Sequence, residues 1–200
     1  MATLPSFWRT RPRASPVIPS WTIASLLPEG ATLDAAIDVY RDAFSKPPYN
    51  DTGRAAEIRE RLVGEHARRP GFRALAATGQ SGRMIGMAYG YHSERGQWWH
   101  DAVAAAISPE VYRRYLVDSF ELVEIAVAPS FQGTGVGAAL IDHLLRGLGR
   151  SSCVLSTRTD SRAHVLYARL GFEMLAEMRF FPGAYPFYVM GKRLTEGVAG

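Results

Sequence analysis

The chain has 200 residues, 47% hydrophobic and 21% charged, which suits one globular domain with a proper core. Its net charge is +4, and three arginines among residues 1–20 account for most of it. No predicted helix carries a basic stripe, which argues against a nucleic-acid partner. No segment approaches ~18 consecutive apolar residues, so a membrane span is not expected either. The single cysteine, Cys153, excludes an intramolecular disulfide and a cysteine zinc cluster.

The first twenty residues combine Arg9, Arg11 and Arg13 with four prolines and contain no acidic residue. This composition predicts a disordered or loosely docked basic tail. The prolines interrupt the continuous apolar core that a signal peptide needs, so we expect a cytoplasmic protein. The folded domain is then expected to span residues 21–195.

Along the domain, apolar runs of strand length alternate with segments of helical spacing. A first strand is expected at 21–26, followed by helices at 34–44 and from Asp51 or Thr52 to about 69. Two strands at 72–77 and 84–91 share a turn at 79–82, and a short helix follows at 109–116. Later elements are a strand at 122–127, a helix at 135–148, a strand at 154–156, a helix at 161–170 and strands at 173–181 and 187–193. This order predicts an α/β domain with a mixed sheet flanked by helices.

The most informative segment joins the strand that ends at Val127 to the next helix. Residues 127–137 are Val-Ala-Pro-Ser-Phe-Gln-Gly-Thr-Gly-Val-Gly. Glycines let successive backbone N–H groups converge, and the helix N-terminus adds its positive dipole, a combination that binds phosphate. A Walker loop is excluded because Ala138 and Ala139 stand where Lys and Ser or Thr are required. A dinucleotide fingerprint needs two residues between its last glycines, where only Val136 stands. A plain glycine turn that caps the helix stays open as an alternative.

Gln132-x-x-Gly135-x-Gly137 resembles the pyrophosphate loop of the GNAT superfamily of acyl-CoA-dependent N-acetyltransferases. A second segment carries the pattern that follows it in that family: Ala163, Leu166-Tyr167 and Leu170-Gly171-Phe172, with Asp160 in place of the usual Asn. The resemblance is clear over residues 121–172 and weaker over 21–91. It implies a single GNAT-type domain with a mixed, mostly antiparallel twisted sheet.

The resemblance implies acetyl-CoA as co-substrate, without a metal. The residues implied to contact it are Ile125, Ala126, Val127, Gln132, Gly133, Thr134, Gly135, Val136, Gly137, Asp160 and Tyr167. In the family, the strand before the loop splays from its neighbour and offers free backbone groups to the pantetheine arm. The Ile125 N–H is then expected near the acetyl carbonyl, where it would stabilise the developing oxyanion.

In the family, an amine attacks the thioester directly within a ternary complex, and Tyr167 would face the leaving sulfur. A phenol (pKa ~10) is a weaker acid than a thiol (pKa ~8.5), so hydrogen bonding to the thiolate and full proton transfer both stay open. Simple packing of Tyr167 in its helix is the alternative to either role.

Two carboxylates on the strand, Glu121 and Glu124, are the candidate general bases, with Glu121 preferred. A solvated charge at the strand edge is the alternative for either residue. A normal Glu is too weak to deprotonate an alkylammonium, by roughly 8 kcal/mol, so a base needs a raised pKa, a bridging water or a neutral amine. Regular alternation places Glu121 on the face of Ile125 but about 13 Å away along the strand. Glu124 is nearer but points to the opposite face unless a bulge intervenes.

The family binds its acceptor between the first two helices and the last hairpin, which here implies Phe44, Tyr49, Asn50 and Tyr185. Aromatic walls suit a hydrophobic or cationic acceptor, and the expected substrate is a primary amine of a small molecule. A protein or peptide N-acetyltransferase and a non-catalytic acyl-CoA-binding sensor are the alternatives. Loop aromatics also pair copies of a chain, so a homodimer is among the expectations.

Overall fold

A computed structural model describes residues 21–51 and 53–194, and the predicted tail at 1–20 lies outside the described residues. Seven strands form one sheet: β1 Trp21–Ser25, β2 Arg73–Gly79, β3 Met84–Ser93, β4 Ser119–Val127, β5 Ser152–Arg158, β6 Glu173–Met178 and β7 Phe187–Arg193. The strand order is β1-β2-β3-β4-β5-β7-β6. Among these strands, β4 and β5 pair in parallel and the other neighbours are antiparallel. The prediction of a mixed, mostly antiparallel sheet is confirmed.

Six helices flank the sheet: α1 Gly30–Phe44, α2 Arg54–Gly64, α3 Trp98–Ala106, α4 Pro109–Tyr115, α5 Val136–Leu145 and α6 Ala163–Arg169. The helix predicted to reach residue 69 ends at Gly64, and a 3₁₀ turn at His66–Arg68 follows it. The helix predicted at 135–148 ends at Leu145. The N-cap residue of α2 is Gly53, two residues after the predicted Asp51. The Asp51 carboxylate still accepts hydrogen bonds from the N–H groups of Gly53 (3.2 Å) and Arg54 (3.0 Å) at the start of the helix.

The two faces of the sheet are covered by different helices. On one face, α1 and α2 bury Tyr40, Ile58 and Leu62 against Met87 and Tyr89. The opposite face packs against α5 and α6, and its cluster includes Cys153, which is therefore a buried core residue as predicted. A third cluster lies where α3 and α4 cover β5 and β7. The sheet is thus a rigid layer from which short loops project.

A β-bulge interrupts the pairing of β3 with β4. Tyr89 pairs with Glu124 and Gly90 pairs with Leu122, so Val123 is an extra residue in β4. The backbones approach closely here: a Cβ on Gly90 would lie 2.1 Å from the Glu121 carbonyl oxygen. Only glycine permits this contact.

The sheet opens between β4 and β5. Pairing between them covers Ser119, Phe120 and Glu121 and then stops. Beyond Glu121, β4 continues to Val127 along β3 alone, while β5 continues along β7. The predicted splay of β4 from its neighbour is therefore present, and it creates an opening between the two halves of the sheet.

Candidate active site

The glycine loop lies at the end of β4 and runs through a 3₁₀ turn at Pro129–Phe131 into α5. Gly133 (φ +78°) and Gly135 (φ +95°) both adopt left-handed backbone conformations, which L side chains rarely take. A Cβ at either position would meet no protein atom within 4 Å. Backbone geometry therefore requires these two glycines, and the space beside them is open to a ligand.

Two side chains brace this loop from within. Gln132 Nε2 donates to the Val127 carbonyl (3.0 Å), and Thr134 Oγ1 donates to the Phe131 carbonyl (2.7 Å). The first helical hydrogen bond runs from the Ala139 N–H to the Gly135 carbonyl (3.0 Å). The N–H groups of residues 136–138 thus precede the helical ladder and are available to an anion. Geometry and donors both fit a pyrophosphate.

The edge of β4 that faces the opening supplies further backbone groups. Residues 122–127 have no strand partner on the β5 side within the part of the chain that the structure describes. Ile125 and Val127 direct their side chains into the cluster beneath α5, whereas Ala126 packs on the α1 face. Their side chains are core residues. The Val127 carbonyl accepts from Gln132, so the role predicted from the resemblance would be played by the remaining main-chain groups on this edge.

Tyr167 lies on α6 with only 5% of its surface exposed. Its ring packs edge-on against Phe172, with 5.8 Å between centroids. Burial, and next the nearby Tyr49 and Glu124, raise the pKa of the phenol above its usual value. The hydroxyl therefore stays protonated and can donate a hydrogen bond near neutral pH.

The bulge at Val123 changes the predicted arrangement of the two carboxylates. Glu121 does not share a face with Ile125, since Ile125 packs beneath α5. Instead, the extra residue brings Glu124 onto the α1–α2 face together with Glu121. Glu124 and Ile125 still lie on opposite faces, so the bulge does not bring Glu124 to the side of Ile125. What it does is gather both carboxylates on the α1–α2 face.

Both carboxylates are withdrawn from solvent. Glu121 is 4% exposed, and its Oε2 has no hydrogen-bond partner among the described residues. Burial raises the pKa of Glu121 to about 8. Burial also raises the pKa of Glu124, against the opposing effect of the Arg54 guanidinium, which lies 3.6 Å from its Oε1.

The two carboxylates differ in where they lie along β4. Glu121 is the last residue of the ladder with β5, whereas Glu124 lies beyond that ladder, where the sheet has opened. The charge of Glu124 follows burial among the causes that raise the pKa of Tyr40, and it acts on Tyr167 as well. Glu124 is therefore the carboxylate at the opening.

Three of the four predicted acceptor residues meet in one aromatic row. Phe44 stacks on Tyr40 (4.3 Å between centroids) and contacts Tyr49 (4.5 Å). The Arg158 guanidinium lies over the Tyr49 ring at 5.2 Å and over the Tyr185 ring at 3.6 Å. Asn50, with φ +48°, is exposed in the same loop as Tyr49.

Asp160, predicted as a cofactor contact, pairs with Arg158 in the structure. Its two carboxylate oxygens accept hydrogen bonds from Nε (3.0 Å) and Nη2 (2.6 Å) of Arg158. Arg158 was not predicted from the sequence. Its one signal there is its position two residues before Asp160, the acid that replaces the usual Asn. Among the described residues, no group of three or more potential ligands could hold a metal ion.

Comparison with known proteins agrees with this geometry. A family profile described as the acetyltransferase (GNAT) domain matches residues 70–174. A GCN5-like protein acetyltransferase of Mycobacterium tuberculosis is 32% identical over 193 residues, covering 81% of this chain and 91% of that protein. The ribosomal-protein-S18-alanine N-acetyltransferase from Escherichia coli superposes with a TM-score of 0.59 at 22% identity, covering 90% of this chain and 99% of its own. An aminoglycoside 6'-N-acetyltransferase solved with coenzyme A gives 0.59 at 15% identity, covering 86% and 96%.

The chain therefore belongs to the GNAT acetyltransferases. The resemblance drawn from the glycine loop and the second motif is confirmed, and the protein is an acyl-CoA-dependent acetyltransferase. The solved structures, all below 25% identity, support the fold. None of the helices in the described part of the chain is long and apolar enough to cross a membrane.

Proposed function

We propose that the protein transfers acetyl from acetyl-CoA to a primary amine by direct attack in a ternary complex. One observation carries this proposal: Glu124 lies on β4 beyond its ladder with β5, where the sheet opens, and its charge acts on the Tyr167 phenol of α6. A proton acceptor for the amine and a donor for the leaving thiolate thus share one cleft. An acyl-CoA sensor would need neither group.

The glycine loop and the free edge of β4 would hold the donor. The N–H groups at the start of α5 face the pyrophosphate, and the backbone of Ile125, Ala126 and Val127 pairs with the pantetheine arm. The Ile125 N–H then points at the acetyl carbonyl and stabilises the oxyanion of the tetrahedral state. Preorganised donors of this kind lower the barrier without reorganising during the reaction.

Glu124 accepts the proton from the amine, directly or through water. Its burial narrows the pKa gap between carboxyl and ammonium that makes an ordinary Glu a poor base. Glu121 is also buried, and its pKa of about 8 leaves it mostly protonated at neutral pH. Tyr167 donates a hydrogen bond to the departing sulfur, since its own pKa favours the protonated form.

A small-molecule primary amine is the acceptor that the shape of the site favours. Two loops from opposite halves of the sheet meet over Arg158. Their side chains Tyr49 and Tyr185 therefore narrow the entrance through which the acceptor would reach the opening between β4 and β5. A narrow aromatic opening suits a compact amine with an apolar body.

A lysine side chain of a protein or peptide is the second candidate. Aromatic side chains next to the site are exposed, with Trp98 stacked on Phe181 at 5.4 Å and Tyr185 60% exposed. Such a surface is typical of protein contacts. The mycobacterial relative is named as a protein acetyltransferase, which also supports this candidate.

A panel assay tests the proposal and separates the two acceptors. Thiol release from acetyl-CoA would be followed with tyramine, kanamycin and the peptide acetyl-Gly-Lys-Gly-amide, with products identified by mass spectrometry. Acetylation of an amine well above the rate of acetyl-CoA hydrolysis supports the proposal, and the preferred acceptor identifies the class. Tight binding of acetyl-CoA with no product from any amine, including a lysate peptide pool, would point to the sensor instead.

A further inference from the structure

A continuous row of side chains crosses the opening between the halves of the sheet. It begins at Tyr40 on α1, passes through Phe44 to Tyr49, continues over the Arg158 guanidinium and ends at Tyr185. Tyr49 lies in the loop between α1 and α2, which packs on β1–β4. Tyr185 lies in the loop between β6 and β7, on the other half. Arg158 joins the two loops at a place where the strands themselves have parted.

Arg158 is held firmly in this position. Its side chain is 10% exposed, and its bidentate pair with Asp160 fixes the plane of the guanidinium. The backbone at this end of β5 is fixed too, because Arg158 pairs with Phe187 and the Thr159 N–H donates to the Pro186 carbonyl (3.1 Å). One face of the cation covers Tyr185 at van der Waals distance.

We propose that Arg158 is a positioning residue for the acceptor amine: it holds Tyr49 and Tyr185 as one wall of the acceptor site. This inference rests on the proposed transfer to a primary amine. The wall is built entirely from the acceptor loops and the end of β5. Donor binding depends on other elements, the glycine loop and β4.

The same contacts define what the wall recognises. A ring face already covered by the protein's own cation offers little cation–π attraction to a second cation. The Arg158–Asp160 pair is neutral overall, so the wall attracts neither a polycation nor a polyanion strongly. An amine with a compact apolar body, such as tyramine, therefore fits this wall better than an aminoglycoside such as kanamycin.

The test compares Arg158→Gln and Arg158→Lys in the full chain with a control, Arg146→Gln. Arg146 also pairs with an aspartate, Asp142, but on the exposed surface of α5. Acceptor KM and kcat are measured for tyramine, kanamycin and acetyl-Gly-Lys-Gly-amide, whichever of them the wild type acetylates. Calorimetry gives the Kd for CoA.

Arg158→Gln should raise acceptor KM about tenfold, since it removes both stacking contacts and the ion pair. The Kd for CoA should change less than about twofold, because the contacts of the guanidinium are with Tyr49, Tyr185 and Asp160 and not with the glycine loop or β4. Arg158→Lys keeps the charge but loses the planar fork, so its KM should lie between wild type and Gln. An acceptor KM equal to that of Arg146→Gln would overturn the proposal.

Amide hydrogen exchange gives a readout that needs no acceptor. Arg158→Gln should accelerate exchange in residues 46–51 and 183–187 together and leave α5 unchanged. Unchanged exchange in both loops would overturn the bridge even if activity fell. If the wild type acetylates no amine, the proposed function fails, and exchange alone decides whether Arg158 holds the loops.

Asp160→Asn tests the charge of the wall. It leaves the guanidinium in place but unpaired, so a polycationic acceptor should be repelled more than tyramine. We expect the ratio of kcat/KM for tyramine over kanamycin to rise several-fold, and to fall back at high salt because salt screens the charge. An unchanged ratio would show that the pair has no part in acceptor choice.

Discussion

At the scale of single residues, the extra residue Val123 decides which carboxylate reaches the reaction. With regular alternation, Glu124 would point toward α5, away from the acceptor loops. The bulge turns it to the same face as Glu121, and it lies beyond the β4–β5 ladder in which Glu121 is paired. The order of the two candidate bases thus follows from one backbone irregularity.

We therefore expect Glu124→Gln to lower kcat/KM by ~10²–10⁴-fold, the usual contribution of a general base. Glu121→Gln should have little effect at pH 7, because a group with a pKa of about 8 is mostly protonated there and the amide resembles the neutral acid. The measurement is the pH profile of kcat/KM for both variants. Glu60→Gln, on the exposed surface of α2, serves as the control. The reverse order of effects would assign the base to Glu121.

Tyr167→Phe removes only a hydroxyl and leaves the ring packed against Phe172. Turnover should fall ~10²–10⁴-fold, since a hydrogen bond to the leaving thiolate strengthens as charge develops. The Kd for acetyl-CoA should stay within a few-fold, because the thioester sulfur is a poor acceptor in the ground state. An activated thioester with a more acidic thiol should recover part of the loss. Wild-type turnover in the variant would leave Tyr167 as a packing residue.

At the scale of elements, the glycine loop and α5 form the anion site because two of their glycines adopt left-handed conformations. Gly135→Asp would add backbone strain and place a carboxylate against the pyrophosphate, so calorimetric affinity for CoA should collapse. Gly147→Asp is the matched control: Gly147 is also left-handed (φ +65°) with open space around it, but it follows α5 rather than preceding it. Equal losses of affinity in both variants would mean that strain, and not the site, explains the effect.

The bulge depends on Gly90 in the facing strand. Gly90→Ala would bring a Cβ to 2.1 Å from the Glu121 carbonyl oxygen, so the strands must separate at the site of the bulge. We expect a loss of ~1–3 kcal/mol in the free energy of unfolding, as for overpacked cores, and reduced turnover because Glu124 shifts. In contrast, Gly64→Ala adds a Cβ with no atom within 4 Å at the end of α2, so it should be neutral or stabilising. Denaturant unfolding of both variants gives the comparison.

Sequence predicted those elements whose signal is local. The glycine loop and the succession of strands along the chain each depend on neighbouring residues, and each is present. The helix α3 was missed because its nine residues, rich in alanine after two tryptophans, carry little helical periodicity. It is held by tertiary contacts, among them the Trp99 Nε1 hydrogen bond to Ser156 Oγ (3.0 Å).

Two features of the site could not be read from sequence because they involve distant segments. The bulge at Val123 arises from the approach of Gly90, more than thirty residues earlier, to the Glu121 carbonyl. The Arg158 contacts join loops separated by more than a hundred residues. Both features therefore depend on strand register and on the splay, which periodicity does not encode.

At the scale of the whole molecule, the two halves of the splayed sheet carry different residues of the site. The half formed by β1–β4 carries both carboxylates and leads into the glycine loop. The half formed by β5–β7 carries Arg158 and Tyr185 and leads into α6 with Tyr167. Acceptor and donor therefore meet between two halves whose strands, in the part of the chain described, pair through a short parallel ladder at Ser119–Glu121.

This arrangement buries Glu121 where its charge is costly, and the cost should appear in the stability of the whole fold. The folded pKa of about 8 lies above the ordinary value of 4.5, so the folded state binds its proton more tightly than the unfolded state does. Between these two pH values the unfolded carboxyl is ionised while the folded one is still protonated. Stability therefore falls as the pH rises through this window and levels off above about pH 8.

Glu121→Gln should remove this dependence, since an amide resembles the protonated acid and does not titrate. We expect the difference in melting temperature, variant minus wild type, to be small near pH 5 and to grow by several degrees by pH 9, as one pKa unit is worth about 1.4 kcal/mol. Taking the difference cancels the other titrating groups. The exposed-surface variant Glu60→Gln should show a difference that stays flat across the same range. If the difference in melting temperature for Glu121→Gln also stays constant with pH, water reaches this carboxylate in the folded protein and its burial does not destabilise the fold.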